Sequence, residues 1–191
     1  MTQVILGPTS IAQWYELISE AEANCSIQLG EQVESYLVFT LMRFLEKPEI
    51  ATSVLALEYL QNIEKVGTAR LEHLRDLGDK CLLFSGFFPQ RARKKRVSIT
   101  YFVHMGQSAY QNLADQTPKN WADLYNSLTR KFIPMMDILQ TIRDLSQNKP
   151  LLSALEALTL WQETSSQHAY TVLKRYAGAM DFIKLDKNNK H

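Results

Sequence analysis

TPKNWADLYNSLTRKFIPMMDILQTI, residues 117–142, is the stretch from which the fold class is read. Within it Trp121, Tyr125, Leu128, Phe132, Met135, Leu139 and Ile142 alternate by four and three residues over three heptads. That is the a/d repeat of a helix that lays one apolar seam against a neighbour at about +20°. The spacing predicts one helix over residues 118–145. Thr117 is its expected cap and Pro118 its first residue, where a missing N–H costs nothing. Pro134 lies inside the repeat and removes one backbone bond, so a bend is expected there. The seam can pack inside the chain or be shared with a second copy, and a homodimer is one expected use of it.

The helical period continues on both sides of that stretch. Residues 29–46 carry Val33, Tyr36, Leu37, Phe39, Leu41, Phe44 and Leu45. They are apolar nearly all round, which predicts a central, buried helix. Pro48 suits the first turn of a helix with the stripe Ile50, Val54, Leu57 and Leu60, which Gly67 interrupts. Leu71, Leu74, Gly78, Cys81, Leu82 and Ser85 line one side of a further helix that stops by Pro89. Ser98 caps the helix whose stripe is Ile99, Phe102, Val103, Gly106, Ala109, Tyr110 and Leu113. Ser10 and Gln13 form a capping-box pattern at the first helix, Pro150 opens a seventh, and Ser165 or Ser166 caps an eighth. No alternation of strand length and no Asn-Gly or Asp-Gly turn occurs. The expected fold is all-α: one bundle-like domain of seven to eight mostly antiparallel helices over residues 1–185, with 186–191 a frayed polar tail.

Composition agrees with a globular chain. Of 191 residues 46% are hydrophobic and 21% charged, and no apolar run approaches the roughly 18–20 residues of a membrane helix. The first eight residues lack a basic region, so no secretory signal is expected. Two cysteines, Cys25 and Cys81, do not make a disulfide framework, which favours a reduced, cytoplasmic setting.

Charge is unevenly spread. Residues 1–88 carry a net charge of −6 and residues 89–191 a net charge of +7. The densest run is Arg91, Arg93, Lys94, Lys95 and Arg96, read as a solvated loop between helices that can also contact a phosphate or an acidic protein. It has no interleaved aromatics and the pI is ≈ 7.8, so nucleic acid is not the expected partner.

No Gly-rich phosphate loop, nucleophile elbow, His-Glu-x-x-His or Cys-x-x-Cys motif is present, and neither cofactor nor metal is expected. GDKCLLFSGFFP (residues 78–89) and YFVHMGQSAY (residues 101–110) stand out. In these stretches the chain resembles a family of uncharacterised all-helical proteobacterial proteins, which implies a bacterial, cytosolic protein and nothing about mechanism. If the two helices holding these stretches are antiparallel, Asp79 and His104 fall at one level, and Asp76 lies near Tyr110. Gly78 and Gly106, with Ser85 and Ala109, permit close approach of the backbones. The plain reading is a tight hairpin with buried polar pairs. The sharper reading is a polar inter-helix site in which Asp79, Tyr101 and His104 act as acid and base. Glu72, Asp76 and Asp79 beside His73 could supply half a metal site but read more simply as a solvated acidic stripe. His168 reads as a lone structural or exposed histidine, and Cys81 as an inert buried thiol. The leading functional expectation is a non-enzymatic interaction module that docks a protein partner or itself. The alternative is a small-molecule binder or enzyme built around Asp79, Tyr101 and His104.

Overall fold

The computed structural model describes residues 10–47, 67–90, 94, 97–147 and 149–188, with side chains through residue 178. Among these residues there are eight helices and no strand. They are α1 (Ser10–Cys25), α2 (Glu31–Glu46), α3 (Thr68–Gly86), α4 (Ile99–Gln116), α5 (Lys119–Arg130), α6 (Phe132–Gln147), α7 (Ala154–Thr164) and α8 (Gln167–Asn188). The helix expected after Pro48 lies outside the described residues.

The long helix expected over residues 118–145 is two helices. Pro134 has no N–H for the carbonyl of Arg130, and its ring crowds that carbonyl. The chain therefore stops at Arg130, turns at Lys131 and restarts at Phe132. Pro134 falls in the first turn of α6, where its lost donor is not needed, and the Met135 N–H donates to the Lys131 carbonyl at 2.9 Å. The Lys131 ammonium donates to the Leu29 carbonyl, tying the break to the segment between α1 and α2. The seam survives the interruption: Leu128, Phe132, Met135 and Leu139 are fully buried, and only Trp121 stands out at 53% exposed. Of the two uses open to the seam, packing inside the chain is the one seen.

Helix α6 is the centre of the bundle and meets α1, α3, α4, α5 and α8. Ten of its sixteen residues are buried, against five of sixteen on α2. The expectation that residues 29–46 form the central helix is thus corrected. Leu37 and Leu41 are fully buried, but Phe39 and Leu45 are 62% and 54% exposed. An all-round apolar pattern reports what a helix could bury, whereas the neighbours α1 and α5 cover one side of it.

Two helix starts shift by a few residues, and Ser166, one of the two expected caps of the last helix, is the one used. Thr117 donates its hydroxyl back to the Leu113 carbonyl at 2.7 Å, and Pro118 takes the cap position of α5. Ser153, not Pro150, begins α7 through a full capping box with Glu156. Ser166 caps α8 by accepting from the Ala169 N–H at 3.0 Å. Gly67 sits at φ 65 just ahead of α3, a left-handed conformation that suits glycine.

Candidate functional site

Asp79 is the most enclosed charged group of the α3–α4 pair, 1% exposed. Its surroundings come from three helices. On α2, Tyr36 and Arg43 are seven residues apart and so share a face about two turns long. The Tyr36 hydroxyl donates to Asp79 Oδ1 at 2.7 Å, and the Arg43 guanidinium pairs with Asp79 Oδ2. On α4, the Tyr110 hydroxyl donates to Oδ1 at 2.6 Å. The Tyr110 ring reaches that point because residue 78 is glycine: a Cβ there would lie 2.4 Å from Tyr110 Cε1. Gly106 is used in the same way, since its Cβ would lie 2.4 Å from the Phe132 ring and 2.9 Å from Cys81.

The electrostatics are those of a closed node. Burial pushes the Asp79 carboxyl above the usual carboxylate range, against the pull of Arg43 and the two hydroxyl donors. Burial and the facing Asp79 drive both Tyr36 and Tyr110 well above the ordinary phenol value. Neither phenol gives up its proton near neutral pH, and both carboxylate oxygens are occupied. The arrangement can hold α2, α3 and α4 in register; it offers no group to a substrate. Asp76 lies at the rim, 46% exposed in its side chain, with Arg43 at 3.1 Å and Arg75 at 3.4 Å.

Asp79, Tyr101 and His104 are therefore not one constellation. Asp79 meets Tyr110 and not His104, and at about 100° per residue His104 points roughly 120° away from Tyr110. His104 is exposed and Tyr101 is 42% exposed. Both line a separate groove of about 560 Å³ between α3 and α4. Leu74, Leu77 and Met105 form its apolar part, with Arg70 and His73 alongside Tyr101 and His104. The proposed half metal site is not completed either. Among the described residues, no group of three or more His, Cys, Asp or Glu side chains could hold a metal ion. Cys81 is fully buried and its thiol is pushed up by burial. Of the basic run only Lys94 is described, and it is helical and exposed; Arg91, Arg93, Lys95 and Arg96 lie outside the described residues.

A second polar cluster joins α1, α6 and α8. His168 is buried, with Nε2 3.1 Å from Asp144 Oδ2 and Nδ1 3.0 Å from Thr141 Oγ1. Thr141 Oγ1 in turn lies 2.8 Å from the half-buried Cys25 thiol. Asp144 Oδ1 accepts from the Leu151 N–H at 3.0 Å. Burial works against the His168 imidazolium, but Asp144 at 3.1 Å, the nearby Cys25 and the charge of Asp137 outweigh it and raise its pKa to about 9. Asp137 accepts from Ser166 Oγ at 2.5 Å and from the Gln167 N–H at 2.8 Å, holding the start of α8. Burial raises the Asp137 carboxyl to about 6. Sequence reasoning left this cluster out. Only the i, i+3 spacing of Thr141 and Asp144 on a helix that also carries the a/d seam signals it. Their side-chain partners His168 and Cys25 lie more than twenty residues away in either direction.

No helix among the described residues is long and apolar enough to cross a membrane. Compared with known proteins, the chain matches no family model, no curated protein and no solved structure, so its function is argued from these sites alone.

Proposed function

We propose that the protein is a non-catalytic interaction module that holds an apolar, acid-bearing segment of a partner protein in the groove between α3 and α4. The observation that supports it is the make-up of that groove. Its floor is Leu74, Leu77 and Met105, and its polar side carries Arg70, His73 and His104 with no carboxylate among the lining residues. Apolar side chains of the partner would cover the floor, and an Asp or Glu would meet Arg70. The sealing of Asp79 by three donors supports the same reading, since it removes the one carboxylate that an acid/base site here would use. The basic run of Arg91, Arg93, Lys94, Lys95 and Arg96 enters as a source of long-range attraction for an acidic partner.

Selection of peptides from a phage-displayed library tests this. The expected result is an apolar consensus with Asp or Glu, binding that weakens as salt rises, and loss of binding on Tyr101→Glu or His104→Glu. Peptides without acidic residues, or equal binding to the two variants, would overturn it. A second reading has one observation in its favour: about 560 Å³ is within the usual size of a small-molecule pocket. On that reading a medium-chain carboxylate such as decanoate, and not a peptide, shifts the amide signals of residues 101–112.

A further inference from the structure

A segment held in the α3–α4 groove brings a backbone as well as side chains, and the walls constrain its conformation. Gly78 meets Tyr110, Cys81 meets Gly106 and Phe84 meets Phe102, so α3 and α4 run antiparallel. Both walls are continuous helix, Thr68–Gly86 and Ile99–Gln116. Within such helices the backbone N–H and C=O groups are spent in their own ladders. Among the described residues no strand offers an edge to an extended peptide. An extended segment here would leave its own backbone groups against apolar side chains, which is costly. A helix brings those bonds with it. Shape agrees with this. The α4 wall recurs every three or four residues, from Tyr101 through Met105 and Ser108 to Asn112. That ridge is about 16 Å long, or about three turns of a helix lying alongside. Ser108, in its middle, is small and exposed, which admits a close approach. The antiparallel pairing puts Arg70, in the first turn of α3, at the Asn112 end, so the fixed positive charge of the groove stands at one end of the ridge.

Building on the peptide-docking reading of this groove, we propose that the partner segment is an amphipathic α-helix of about three turns. Its apolar stripe covers Leu74, Leu77 and Met105, and a single Asp or Glu at one end of the stripe meets Arg70. Arg70 and Ser108 set the specificity in different ways. Arg70 fixes which end of the stripe carries the acid, and Ser108 sets how near the axis of the incoming helix can come. At the far end the ring of Tyr101, 42% exposed, receives the last apolar side chain.

Two synthetic peptides of one composition (Leu, Ala, Gln and one terminal Glu) test this by fluorescence anisotropy against the full chain. In the first the Leu residues recur every three or four positions, and in the second they alternate by two. The helical-period peptide should bind about tenfold more tightly and gain helical far-ultraviolet signal on binding. A central Pro should abolish its binding. Arg70→Glu should weaken it about tenfold, and a Lys in place of the peptide's Glu should restore it. Ser108→Trp, at an exposed position where the fold tolerates change, should block it. Circular dichroism melts establish that each variant is folded. Equal binding of the two peptides, or binding that survives the central Pro, with loss in Ser108→Trp, would keep the groove as the docking site and overturn the helix. Binding by neither peptide, or binding that Ser108→Trp leaves unchanged, would overturn the groove reading and the helix together.

Discussion

Replacing Gly78 by alanine would ordinarily stabilise a helix interior by about 1 kcal/mol, and here the opposite is expected. The added Cβ would lie 2.4, 2.7 and 2.9 Å from Cε1, Cδ1 and Cζ of Tyr110. That ring cannot move aside freely, because it is fully buried and packed between Tyr125 and Phe132 at centroid distances of 6.4 and 5.9 Å. Forcing an extra methyl into such a site costs about 1–3 kcal/mol. Moving the ring also lifts its hydroxyl from the 2.6 Å contact with Asp79, and a hydrogen bond to a charged group contributes about 1.5–3 kcal/mol. Set against the gain in helix propensity, the net loss is about 2–5 kcal/mol. Urea unfolding followed by far-ultraviolet circular dichroism measures it. Gly178→Ala on α8 serves as the control, because nothing lies within 4 Å of its Cβ and it should gain up to about 1 kcal/mol. Adding Tyr110→Phe to Gly78→Ala should cost little more, since the bond it removes is already broken. A Gly78→Ala protein as stable as wild type would refute the close packing of α3 on α4 and the role given to Asp79.

Two further outcomes follow from the buried charges. Asp79→Asn replaces one acceptor oxygen by an NH₂ group that faces donors, so Arg43 or a tyrosine loses its partner. A loss of about 3–5 kcal/mol is expected in the same unfolding assay, and a loss below about 1 kcal/mol would mean that the node is open to water. His168 has a folded pKa of about 9, above its unfolded value. Its contribution is therefore full below about pH 6.5 and disappears as pH rises through about 9, a loss of up to about 3 kcal/mol relative to His168→Gln. Parallel stability curves for the two proteins between pH 6 and pH 10 would exclude a charged, paired His168.

The helical class was legible because the 3.6-residue period needs only local sequence. The a/d spacing from Trp121 to Ile142 located the central seam, and the Ser98 cap was read correctly. Caps failed by a few residues at Pro118 and Pro150 for a local reason as well. A proline near a helix start fits either the first turn or a residue before it; at α7 the Ser153 side chain takes the cap, and at α5 no side chain does. Small residues at Gly78 and Gly106 announced a close approach of helices, and both glycines face a ring in the structure.

What tertiary structure alone decided is which side chains meet. Antiparallel pairing joins α3 and α4, but only the placement and axial rotation of α4 send Tyr110 to Asp79 and leave His104 exposed. The partners Tyr36 and Arg43 arrive from a helix more than thirty residues earlier, at no spacing a sequence can reveal. Cys25, Thr141, Asp144 and His168 are likewise joined only because α6 runs through the middle of the bundle. Sequence by itself determines periodicity, because each helix carries its own apolar stripe. Sites depend on the axial rotation and neighbour choice of whole helices, and these are set by the packing of many side chains at once.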